Sequence, residues 1–132
     1  MSCAKQLLDS YPGTLNADAG VLAATLDALS DCTQACAADA DADLAEQNLA
    51  EMVTCIRLCL DCTDVCTATL GVVSRQTAYD PTITGPLLEA CIATARAAAT
   101  NAPGTRRTTS TAGSANRPAA AVNKPAGSCW AS

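Results

Sequence analysis

Twelve residues, Cys55-Ile-Arg-Leu-Cys59-Leu-Asp-Cys62-Thr-Asp-Val-Cys66, constrain the fold of this chain more than any other stretch. Their four cysteines stand at i, i+4, i+7 and i+11, positions that share one face of an α-helix. Neither proline nor glycine interrupts the run, and the leucines, isoleucine and arginine around the thiols favour a helix. The stretch therefore predicts a rod with a row of sulfurs along one side. Such a rod needs partners able to face a row of thiols.

The flanking sequence supplies more rods. Residues 3–11 predict a short helix with Leu7 and Leu8 inward, ended by Pro12 and Gly13. Asn16 or Asp18 can cap a longer helix running to about Ala40, whose inward stripe is Leu22, Leu26, Leu29, Cys32 and Cys36. The run Asp39 to Asp43 reads as a turn, and Asp43 with Glu46 fits a capping box that opens the next helix. That helix is expected to continue through Leu49, Met52, the four cysteines, Leu70 and Val73 to about Ser74. Its predicted length is about 45 Å. Two proline-containing starts, at Pro81 and Pro86, precede a helix carrying Leu87, Leu88, Cys91, Ile92 and Ala95, which fades at Asn101 to Gly104. Long helices joined by short turns predict an all-α, antiparallel helical bundle of the four-helix type. The periodicity is lost after Gly104. The expected organisation is a cysteine-rich bundle over residues 1–100 and a low-complexity, disordered tail over residues 101–132 where a last helix would stand.

Composition decides what such a bundle can be. There is no phenylalanine, and the aromatics are one tryptophan and two tyrosines, so small side chains must build the core. Nine cysteines in 132 residues would suit a secreted disulfide scaffold. Against that, the count is odd and Met-Ser-Cys-Ala-Lys-Gln contains no apolar signal-peptide core. Thiols one helical turn apart also have Cβ atoms about 5–6 Å apart, whereas a disulfide requires about 3.5–4.5 Å. Reduced thiols in a cytoplasmic protein are the expectation, and no apolar run is long enough to span a bilayer. Residues 1–96 hold all thirteen acids against Lys5, Arg57, Arg75 and Arg96, a net charge of −9. The remainder holds Arg106, Arg107, Arg117 and Lys124 and no acid, a net +4. An acidic body argues against nucleic acid as a partner.

Thiols facing inward from helices are soft ligands, suited to Cu(I), zinc or iron–sulfur clusters. Two-coordinate Cu(I) fits the two sulfurs of one Cys-x-x-x-Cys on a single helix face. Zinc and iron–sulfur clusters need about four ligands converging on a point, commonly from loops that wrap the metal. A mixed Cys/His zinc site is excluded because the chain has no histidine. Storage or buffering of multiple Cu(I) ions is the leading function, and a zinc or iron–sulfur protein with a structural or electron-transfer role is the alternative. The metal-ligand candidates are Cys32, Cys36, Cys55, Cys59, Cys62, Cys66 and Cys91. Buried cysteine also serves simply as a small apolar residue, and that reading suits Cys3 and Cys129 best. For the row it is weak, since alanine or leucine would pack as well without oxidising. The acids at Asp39, Asp41 and Asp43 lack the glycine and terminal glutamate of a calcium loop. No cysteine or serine has a neighbouring base, so the sequence does not read as an enzyme.

Several segments together resemble a known family. Asp31-Cys32-x-x-x-Cys36, then Cys55-Ile-Arg-Leu-x-Leu-Asp-Cys62-x-Asp-Val-Cys66, then Ser74-Arg-Gln-Thr-x-Tyr79-Asp80 and Leu88-Glu-Ala-Cys91 are similar to the bacterial four-helix-bundle copper-storage proteins. The resemblance covers about residues 1–97. It implies a bundle whose core thiolates take up multiple Cu(I) ions, commonly in a homo-oligomer, with copper ions as the partner. Cys32, Cys36, Cys55, Cys62, Cys66 and Cys91 match family cysteines, while Cys59 falls on the cysteine face where relatives often have a polar residue. Ala28, Asp39, Asp43, Ala95 and Ala98 stand where the family would lead one to expect further thiols, which implies a smaller capacity. The family's Cys/His-rich last helix has no counterpart in residues 98–132. Alanine and threonine codons shifted by one base are compatible with cysteine and histidine, so the tail is compatible with a frameshifted last helix.

Overall fold

The computed structural model describes residues 2–102. Among them are four helices and no strand: α1 (Cys3–Asp9), α2 (Ala19–Leu44), α3 (Leu49–Ser74) and α4 (Pro81–Thr100). The fold is the expected all-α bundle. The tail, Cys129 and the frameshift reading lie outside the described residues.

Local chemistry accounts for most helix ends. The Ser2 hydroxyl accepts from Lys5 N at α1, and the Asp18 carboxylate accepts from Val21 N at 3.0 Å at α2. Asp80 accepts from Thr82 N at 2.8 Å, so α4 uses the first of its two proline starts, with Pro81 in its first turn and Pro86 inside the helix. Asn16, the other candidate cap of α2, is engaged elsewhere. Its side-chain amide donates to the Gln76 backbone and side-chain carbonyls, at 2.8 and 3.1 Å.

Three expectations need correction. Helix α1 ends at Asp9, and Leu7 points outward, 66% exposed, leaving Leu8 to face the core. Helix α2 passes through the predicted turn at 39–43 and ends at Leu44. Alanine is the strongest helix former, and Ala40 and Asp43 fall four and seven residues after Cys36, on the same buried face. Tertiary burial thus outweighs the turn signal of the alternating aspartates. The connection is residues 45–48, and the predicted capping box does not form. Asn48 is the N-cap of α3 and makes no side-chain cap bond. Helix α3 consequently has 26 residues, about 39 Å, and not 45 Å.

Helix α3 is the central element, packing against α2 and α4, while α1 packs on α2. The α2 and α4 helices make no comparable contact with each other. A four-residue connection sets α2 antiparallel to α3, which zones the interior along its length. Leu8, Leu22, Leu26, Leu29 and Val73 fill the half near α1 and the α3–α4 turn. The thiols of α2 and α3 occupy the half toward the 45–48 connection. At the leucine end, Gln76 is buried, donates to Val73 O at 2.8 Å and accepts from Asn16, while Tyr11 and Thr77 share a hydroxyl bond at 2.7 Å.

Candidate metal centre

The α2–α3 seam gathers sulfur from both walls. Cys32 and Cys36 come from the α2 stripe, and Cys55, Cys59, Cys62 and Cys66 from the α3 stripe. All six are buried, none more than 7% exposed. Cys32 Sγ lies 3.5 Å from Cys62 Sγ across the seam, and Cys62 Sγ lies 3.8 Å from Cys66 Sγ along α3. The sulfurs of Cys32, Cys36 and Cys62 all fall within 4.8 Å of one another. That trio is the densest group of soft donors among the described residues.

The thiols are linked beyond the trio. Cys36 also meets Cys59, and Cys66 also meets Cys32. Cys55 meets Cys59 on one side and the Asp43 carboxyl on the other. These bonds divide the thiols by proton affinity. Cys36 is pushed far above the ordinary thiol range, first by its bond to Cys32, then by Cys59, Cys62 and burial. Cys66 is raised in the same way, first through Cys32. Burial, followed by the adjacent Asp43 carboxyl, pushes Cys55 up to about 12. Cys59 is lowered because Cys36 donates to its sulfur, against the effect of burial. At Cys62 the bond with Cys32 raises the value, but S–H bonds from Cys36 and Cys66 outweigh it and the net direction is down. The seam thus pairs sulfurs that hold their protons with sulfurs ready to bear charge, an arrangement suited to exchanging protons for a soft cation.

Cys91 stands apart from the seam. It is fully buried on α4, and its Sγ donates to Thr69 Oγ1 at 3.0 Å and to Val65 O at 3.7 Å. Cys3 is exposed on α1. On α4, Ala95 and Ala98 are buried but carry no ligand atom. Sequence reasoning missed two buried polar neighbours, Asp43 and Thr69. Both are in register, Asp43 seven residues after Cys36 and Thr69 three after Cys66, although the acid at 43 reads from sequence as a helix cap.

No described helix is long and apolar enough to cross a membrane. The sequence model of the copper storage protein family matches residues 19–127. No curated protein matches the chain. Among solved structures, the chain is similar to the copper storage protein Ccsp of Streptomyces lividans loaded with 10 copper equivalents. The TM-score is 0.72 and the identity 40%, over 74% of this chain and 75% of that one. It is also similar to two histidine-to-alanine variants of the same Streptomyces lividans protein. The double variant gives a TM-score of 0.64 at 38% identity, over 69% of this chain and 76% of that one. The single variant gives 0.65 at 38% identity, over 73% and 78%. The present chain contains no histidine at all.

Proposed function

Since the chain belongs to the copper storage protein family, we propose that it holds multiple copper ions as Cu(I) on the thiolates of Cys32, Cys36, Cys55, Cys59, Cys62, Cys66 and Cys91. The observation that carries the reading is the buried trio of Cys32, Cys36 and Cys62, whose sulfurs lie within 4.8 Å of one another. Three sulfurs at that spacing can share a soft monovalent ion or bridge two. The arrangement does not favour zinc, because the donors line straight helices and do not wrap one point. Cys91 is the outlying ligand, with Thr69 as its present partner.

The role we infer is storage and not catalysis, with copper as the cargo. Reduced sulfurs that oxidise readily suit the cytoplasm. The outward-facing Val21, Val53, Leu60 and Ile83 suit association with further copies of the chain. Anaerobic titration of the reduced protein with Cu(I) against a competing chelator tests the function. Uptake of several ions per chain into a colourless thiolate complex is expected. A brown iron–sulfur chromophore, or zinc held in preference to Cu(I), would overturn it.

A further inference from the structure

The α2 stripe that carries Cys32 and Cys36 continues through Ala40 and ends at Asp43, in the last turn of the helix. Asp43 is 1% exposed, and its carboxyl lies beside Cys55. The interior row of sulfurs therefore terminates on oxygen. Sulfur neighbours thin out in the same direction. Cys62 meets Cys32, Cys36 and Cys66, whereas Cys55 meets only Cys59 among the thiols that shape its environment. This end also adjoins the connection between α2 and α3. Residues 44–51 are all exposed, and Cys55 is the first thiol to follow them in the chain.

Cu(I) favours thiolate over carboxylate oxygen, which suits harder ions. At the centre of the row an incoming ion finds three sulfurs and can be shared among them. At the end Cys55 has Cys59 as its one sulfur neighbour, and the side chain that completes the wall is one the ion does not prefer. We propose that Asp43 makes the Cys55–Cys59 end of the row the exchange position of the store, a Cu(I) site poorer in sulfur than the centre that fills last and empties first. The inference rests on the copper-storage reading of the central thiols. Asp43 acts here as a specificity-determining residue. It does not hold the ion but denies Cys55 a second soft neighbour at the end of the row next to the exposed connection.

The test uses the full, reduced chain loaded with Cu(I) and challenged with rising bicinchoninate or bathocuproine, release being read from the absorbance of the chelate. Two classes of copper are expected, the weaker released at a chelator concentration at least about tenfold below the stronger. Asp43→Cys completes the row and shifts the weak class upward by about tenfold or more, whereas isosteric Asp43→Asn, which adds no sulfur, leaves it in place. Cys55→Ser removes the weak class alone, and Cys62→Ser removes the strong one. Circular dichroism checks helix content in each variant, and the Cys55→Ser arm carries the test should Asp43→Cys fail to fold. A single release class in the native chain overturns the proposal. So does tightening by Asp43→Asn equal to that by Asp43→Cys, or loss of the strong class in Cys55→Ser. Failure of the native chain to retain any Cu(I) against chelator is a different result, since it removes the storage reading itself.

Discussion

Cys32 of α2 and Cys62 of α3 hold their sulfurs 3.5 Å apart with both side chains fully buried. The two helices of the main seam are thus joined by a contact whose atoms are the proposed ligands. Packing and metal capture depend on the same residues, and perturbations of one are expected to appear in the other.

Cys62, like Cys36, is a branching point in touch with three other thiols, so Cys62→Ser is expected to lower Cu(I) capacity by more than the loss of a single sulfur. Cys91→Ser, at the α3–α4 contact, removes only the outlying position. The cost to the apo-protein should be modest in both, about 1 kcal/mol, because serine is nearly isosteric and neighbouring groups can accept its hydroxyl. Anaerobic chelator titration gives the capacities and urea unfolding the stabilities. Equal loss of copper in the two variants would remove Cys62 from its central place.

That central place was legible in the sequence, because steps of three and four residues put four α3 thiols on one face and two α2 thiols on another. The end of the row was not. Alternating alanine and aspartate at 39–43 carries both a helix signal and a turn signal, and only the burial of Ala40 and Asp43 against α3 decides between them. Cys91 shows a second gap. Periodicity places it on the buried face of α4 but says nothing of axial height, and the structure sets it against Thr69. Alanines at 95 and 98 complete that wall without donors, which makes the α2–α3 seam richer in sulfur than the α3–α4 one.

Gln76 ties the leucine end together and should matter to stability without mattering to copper. It is buried, donates to Val73 O and accepts from the Asn16 backbone and side chain. Gln76→Ala leaves those partners without their bonds and is expected to destabilise the fold by about 1–3 kcal/mol. Denaturant unfolding measures the cost, and unchanged copper capacity is the accompanying expectation.

The thiol protons predict an alkaline limit for the apo-protein. In the folded chain Cys55 is held up at about 12, against an ordinary value of 9.0. A raised folded value favours the protonated state, so this stabilisation is complete below about pH 9 and is lost as pH rises through about 12. Cys36 and Cys66 shift in the same direction. Cys59 and Cys62, both lowered, act oppositely: their contribution is present above the ordinary thiol value and is lost as pH falls through their folded values. With three thiols raised, burial opposing ionisation throughout and like charges crowding the seam, the net expectation is a fall in stability above about pH 9. Anaerobic urea unfolding against pH measures it, and a midpoint that rises over this range would contradict the assignment.

Copper should reverse that weakness. Each thiolate bound to Cu(I) gives up its proton, so loading weakens on acidification by about tenfold per pH unit for every proton displaced. Once bound, an ion bridging Cys32 and Cys62 replaces a weak S–H contact with bonds from α2 to α3, and it is available only to the folded arrangement. Binding to the native state alone adds about 4 kcal/mol at a free ligand concentration a thousandfold above Kd. Thermal unfolding of the loaded protein should therefore move to clearly higher temperature and return to the apo value after chelator treatment. The gain should be largely lost in a Cys32→Ser/Cys36→Ser double variant, because the ions that remain along α3 bind one helix and leave the seam unlinked. A gain retained in full by that variant would mean the stabilising copper sits elsewhere than between α2 and α3.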